Sequence, residues 1–193
     1  LENLKEVELD FSNFTHNTQL FFFPNNNVEV TPTEITVHQR GDTAFNHYVW
    51  EENVLKHNFK PLPDMFKLTC LDKENNLYDI DVLDCKSSPI FGYVINTSRL
   101  HWRKELEERF EDNPEEAKAY AEKHRFCING EGLTEDEIRE QKQNLANKIF
   151  AIGYMLHRFK SPSRAWAPQA MDNKIGENGE CNGRSGKSFL FKT

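Results

Sequence analysis

The chain has 193 residues, 37% of them apolar and 12% aromatic, enough to build a core and to exclude a wholly disordered chain. Its formal net charge of -7 excludes a basic protein that coats nucleic acid, but leaves room for a motor that grips DNA with a few local cations. The longest purely apolar run is Leu20-Phe21-Phe22-Phe23, far short of the roughly 20 residues a membrane span needs.

Residues 1–97 read mostly as strands and loops. The opening LENLKEVELDF is charged and has no apolar h-region, so no signal peptide is expected and the chain reads as intracellular. Pro24 and Asn25-Asn26-Asn27 form a turn cluster. Val28-Glu29-Val30 and Ile35-Thr36-Val37 then alternate apolar and polar, as half-buried strands do, with Thr31-Pro32-Thr33 between them. Tyr48-Val49-Trp50 is a further candidate strand. Phe66-Lys67-Leu68-Thr69-Cys70 alternates again before the turn at residues 72–76, and residues 77–83 fit either a strand or a short helix.

From Ser98 the pattern becomes helical. Ser98 is placed to cap SRLHWRKELEERFED, which Asn113-Pro114 ends. PEEAKAYAEKH reads as a second helix with Pro114 at its first position and acidic residues in its first turn. Thr134-Glu135-Asp136-Glu137 is a capping box. Behind it Ile138, Leu145, Ile149, Ile152, Leu156 and Phe159 lie on one stripe of a long amphipathic helix, read as a structural helix packed on the rest of the domain. After Ser161-Pro162-Ser163 the chain should turn. Residues 165–171 are apolar enough for a strand, with Pro168 favouring an edge.

The C-terminal stretch GENGECNGRSGKSFLFKT carries the strongest chemical signal. A phosphate-binding loop needs a strand, a glycine-bearing turn and a helix start. Its backbone N–H groups and the helix N-terminus then face the phosphates, its Lys reaches the β- and γ-phosphates, and its Ser or Thr holds Mg²⁺. Gly176, Gly179, Gly183 and Gly186 supply permissive positions before Lys187 and Ser188. The nucleotide-binding candidates are Asn182, Gly183, Arg184, Ser185, Gly186, Lys187 and Ser188, with Lys187 the catalytic cation and Ser188 the Mg²⁺ contact through the nucleotide. The pattern GxxxxGK[ST] would put glycine at 181, where this chain has Cys; Gly183 is placed to take over the tight turn. Glu177 and Glu180 must point away from the phosphates, and Arg184 either neutralises them or is solvated. The rival reading is a glycine-rich tail.

Other residues carry weaker signals. Cys70, Cys85, Cys127 and Cys181 show no CxxC spacing and read as free thiols. Asp79, Asp81 and Asp84 beside Cys85 could hold a metal, or form a solvated surface. His101-Trp102-Arg103-Lys104 suits contact with a DNA backbone, but Glu105, Glu107 and Glu108 follow, which favours a charge-mixed surface. His157-Arg158 complements the C-terminal dipole of the long helix. Trp50, Trp102 and Trp166 read as core or interface.

Three blocks carry a family resemblance: YVINTSRLHWRKELE (residues 93–107), residues 133–172, and GENGECNGRSGKSF. Together they resemble the helicase region of primase–helicase proteins carried by phages, plasmids and other mobile elements of Bacteroidetes-type bacteria. QLFFFPNNNVEVTPTEI resembles the aromatic-then-strand segment before the motor there. The resemblance implies a superfamily 3-type DNA helicase, an AAA+-like ATPase using ATP and Mg²⁺, working in the bacterial cytoplasm as a hexameric ring on single-stranded DNA, with a primase as partner or fused domain. It implies an α+β pre-motor region followed by the first strand and P-loop of an α/β ATPase core. On that reading residues 1–97 are a strand-rich part, 98–163 a helical pre-motor part and 164–193 the incomplete start of the core. Gly183, Gly186, Lys187 and Ser188 match the family's Walker A positions, and Cys181 does not.

The chain starts with Leu and stops inside the expected helix, so it reads as a piece of a longer protein. The Walker B acids, sensor, arginine finger and DNA-contacting hairpin are expected beyond Thr193. Without them this piece is expected not to turn over ATP. Two other classes stay open: a non-catalytic interaction module of a replication protein, and a different P-loop ATPase or kinase.

Overall fold

The computed structural model of the chain describes residues 8–169. These residues form two units. One takes residues 8–61 with Tyr154–Trp166 and the other takes Leu62–Gly153, so the division falls after Pro61, whereas the sequence changes character at Ser98.

The first unit is built on an antiparallel sheet of β1 (Gln19–Phe22), β2 (Asn26–Val30) and β3 (Ile35–Gln39), in that order. The register sets Val28 between Phe21 and Val37 and Val30 between Gln19 and Ile35, so the middle of one sheet face is apolar. Leu20, Phe22 and Val28 are buried, while Ile35 and Val37 on β3 remain exposed. Tyr48-Val49-Trp50 is not a strand: the Tyr48 N–H donates to Asp10 O at 2.7 Å, and a 3-10 turn follows at Glu51–Asn53. Trp50 is 67% exposed and stacks on Phe11 with ring centroids 5.0 Å apart, so it is not a core residue.

The second unit starts with a hairpin of β4 (Phe66–Asp72) and β5 (Leu77–Val82), which decides the ambiguous segment in favour of strand. Asp72 makes the turn by accepting from the Glu74 N–H (2.9 Å) and the Asn75 N–H (3.2 Å), and Asn76 adopts the left-handed φ of +53° that Asn tolerates. Helix α1 covers Pro89–Ser98. The sequence reading placed these residues among strands and loops and used Ser98 as a cap. Ser88 is the N-cap instead, accepting from the Phe91 N–H, and Pro89 occupies the first helical position. Ser98 ends the helix fully buried, its hydroxyl donating to Val94 O at 2.7 Å.

A six-residue π-helical turn, Arg103–Glu108, follows where a regular helix was expected. Helix α2 (Pro114–Lys123) has Asn113 as its cap, and α3 runs Glu135–Leu156. The capping box of α3 forms in both directions: the Glu137 N–H donates to Thr134 Oγ1 (3.3 Å) and the Thr134 N–H to Glu137 Oε2 (2.7 Å). The core of this unit gathers Ile80 from β5, Phe91, Val94 and Ile95 from α1, Ile128, and Leu145 from α3. Each such side chain stabilises by about 1.5–3 kcal/mol on burial. Ile149 and Ile152 pack against that core, whereas Leu156 is 57% exposed and Phe159 lies past the helix end, so the stripe holds only in its middle.

Candidate functional site

The nucleotide-binding candidates Asn182 to Ser188, with Glu177, Glu180 and Cys181, lie outside the described residues. So does the end of the strand proposed to feed that loop. Its described part, residues 165–169, forms no strand, in keeping with Pro168, which cannot donate to a ladder.

The aspartate cluster is described and is not a metal centre. Asp79 and Asp81 alternate on β5 and share a face, but Lys142 of α3 reaches both, with Nζ 2.7 Å from Asp79 Oδ1 and 3.7 Å from Asp81 Oδ1. The ammonium supplies the positive charge a cation would bring. Its hydrogen bond holds the Asp79 carboxyl below its ordinary range against the opposing effect of partial burial. Asp84 is occupied by a turn: it accepts from the Ser87 hydroxyl and from the Lys86 N–H at 2.8 Å. Among the described residues no three His, Cys, Asp or Glu side chains group in a way that could hold a metal ion. Cys70, Cys85 and Cys127 are free thiols.

His101, Arg103 and Lys104 each pair with an acid: His101 Nε2 lies 2.8 Å from Glu140, Arg103 Nε 3.7 Å from Glu107, and Lys104 Nζ 2.7 Å from Glu137. This is the charge-mixed surface. The hydrogen bond from Lys104, with that from the Thr134 N–H, pulls the Glu137 carboxyl down to about 2. The C-terminal dipole of α3 is met by a residue that sequence reasoning passed over. Lys160 Nζ donates to Tyr154 O (2.8 Å) and to His157 O, and it lies 4.3 Å from the centre of the Tyr154 ring. His157 Nε2 instead meets Thr15 O at 3.1 Å, and the Arg158 N–H donates to Gln19 Oε1 at 2.8 Å.

The buried ion pair of the second unit was also missed. Arg99, one residue past α1, donates through Nη2 to Glu105 Oε1 (2.6 Å) and through Nη1 to His124 O (3.2 Å). Tyr120 of α2 donates its hydroxyl to the same Glu105 oxygen (2.8 Å) and accepts from the Glu131 N–H (3.0 Å). Burial, with Glu105 adding to it, pushes the Tyr120 hydroxyl pKa up. Glu105 is the buried residue of the π-helical turn, on the side opposite Arg103 and Glu107, which stay exposed. Nothing in RKELEE signals a π-turn. The group ties together α1, α2 and the loop before α3 and reads as structural.

A cleft of about 680 Å³ opens in the second unit between β5 and the segment that follows α2. Its floor is the buried pair Ile80 and Ile128, and Lys86, Lys123 and Arg125 stand on its walls.

Comparison with protein-family models, with curated proteins and with solved structures yields no match to this chain. Among the described residues no helix is long and apolar enough to cross a membrane.

Proposed function

We propose that the chain is a piece of an ATP-dependent replicative DNA helicase of a phage or mobile element, of the superfamily 3 type. The observation that carries this reading is the stretch Gly183-Arg184-Ser185-Gly186-Lys187-Ser188, which combines turn-permitting glycines with the Lys and Ser that a triphosphate and its Mg²⁺ require. The three resembling blocks support it. On this reading Lys187 is the phosphate-binding cation, Ser188 contacts Mg²⁺ bound to ATP, and backbone amides from Asn182 onward cradle the phosphates. The complete protein assembles as a hexameric ring on single-stranded DNA in the bacterial cytoplasm, with a primase as partner or fused domain. The described α+β region is the part that precedes the motor.

The test is ATP turnover by the complete reading frame, with and without single-stranded DNA. Turnover stimulated by DNA and lost to background in Lys187→Ala is expected. Equal turnover in both proteins removes the reading.

One observation favours a non-catalytic docking role for the first unit: Trp50 and Phe11 stack in solvent, at 67% and 40% exposure. If docking is the whole function, Lys187→Ala leaves every activity unchanged and Trp50→Ala weakens recruitment of the replication partner.

A further inference from the structure

We propose that the cleft beside β5 binds nucleotide units, free or within a single strand, at a site separate from the C-terminal loop. Three observations carry this. First, the charge of the cleft is available. The cations that the sequence singled out, at 101–104, are paired with carboxylates, whereas among the described residues Lys123 and Arg125 make no ion pair, and Lys86 acts on the neighbouring Asp84 carboxylate without closing one. Asp81 and Glu122 also line the cleft, and Lys142 holds Asp81, so the free charge of the walls is positive in a chain of net charge -7.

Second, the floor is apolar. Ile80 and Ile128 are 0% and 4% exposed, and Phe126 packs beside them. The cleft's 680 Å³ falls in the range that takes a small ligand, about 300–1,000 Å³. Third, Arg125 is oriented. Its guanidinium lies 5.2 Å from the centre of the Phe126 ring, and that ring is wedged against Gly92, where an added Cβ would come within 2.7 Å of it. A guanidinium held over an aromatic ring presents a flat cationic face on which a base can stack, while Lys86 and Lys123 meet phosphate. A plain anion would use the lysines but not the apolar floor; a neutral hydrophobe would use only the floor.

The experiment uses the chain carrying Lys187→Ala, so that the C-terminal loop does not contribute. A fluorescein-labelled oligothymidylate is titrated by polarisation and then competed with thymidine monophosphate. Binding of the oligomer is expected, weakened about tenfold or more by Lys123→Glu/Arg125→Glu and with a shallower salt dependence, because the phosphate contact of Lys123 and the stacking face of Arg125 are both lost. The control Lys73→Glu/Arg103→Glu makes the same charge change at residues outside the cleft lining and is expected to alter binding by less than about threefold. Competition by the monophosphate assigns the site to free nucleotides; its absence assigns it to a strand. The inference is overturned if the parent binds neither probe, or if both double variants weaken binding alike. Circular dichroism on each variant separates lost binding from lost folding. Because Lys187 is already replaced, failure here leaves the helicase reading as it stood.

Discussion

Arg99 and Glu105 form an ion pair at 2.6 Å with side chains 7% and 0% exposed, and Tyr120 adds its hydroxyl to the same carboxylate oxygen. Removing one partner strands the other charge in the interior. Glu105→Ala is therefore expected to lower unfolding free energy by about 3–5 kcal/mol, and Arg99→Met/Glu105→Leu by clearly less. Urea denaturation of the three proteins measures this. A double variant as unstable as the single one would show that packing, not charge, is at stake.

Gly130 lies against that carboxylate. A Cβ there would stand 2.5 Å from Glu105 Cδ and 2.8 Å from Leu133 Cδ1, and Glu105 cannot retreat while Arg99 and Tyr120 hold it. Gly130→Ala should cost about 1–3 kcal/mol. Gly153, inside α3 with open space around its Cβ position, gives the opposite sign: Gly153→Ala should stabilise by about 0.5–1 kcal/mol. Thermal melts of the pair check both.

The capping box predicts a pH dependence. Glu137 has its pKa lowered from 4.5 to about 2 by Lys104 and by the Thr134 N–H. Its contribution is present above the unfolded value and disappears as the pH falls through that window. Stability should therefore decline between pH 4.5 and 2 more steeply in the parent than in Glu137→Gln. Thr134→Ala should cost about 1 kcal/mol at neutral pH.

Lys148 runs the other way. Burial lowers its pKa from 10.5 to about 8, and its Nζ rests on Thr97 O at the end of α1. The unfolded chain holds this proton more tightly, so stability attributable to Lys148 should rise with pH between 8 and 10.5. Melting temperatures of the parent and Lys148→Met across that range should converge as the pH increases. A constant difference between them would mean the ammonium is solvated in the fold.

Local signals were legible where a rule of chain geometry stands alone. The capping box at Thr134 and Glu137, Pro114 at the start of α2 and the strands β2 and β3 all appear where the residues place them, although Ile35 and Val37 of β3 are exposed rather than buried. Helix α1 was legible and misread: Ser88-Pro89 is a helix start, but the aromatic and β-branched residues behind it read as strand.

What the sequence by itself determined is therefore short-range: caps, turns, periodic faces and the glycine-rich Lys187-Ser188 stretch, each settled by residues a few positions apart. The tertiary structure decided which charges are left over. Lys142 lies sixty-three residues from Asp79 and cancels the metal-like pair, Lys104 and His101 are used up by acids on α3, and Arg99 meets Glu105 in the interior, where Tyr120 also reaches it. Charge pairing falls off within angstroms and ignores separation along the chain. Neighbouring residues show the acids at 105, 107 and 108 beside the cations at 101–104, but not that Glu140 and Glu137 of α3 take His101 and Lys104, while among the described residues Lys123 and Arg125 make no ion pair.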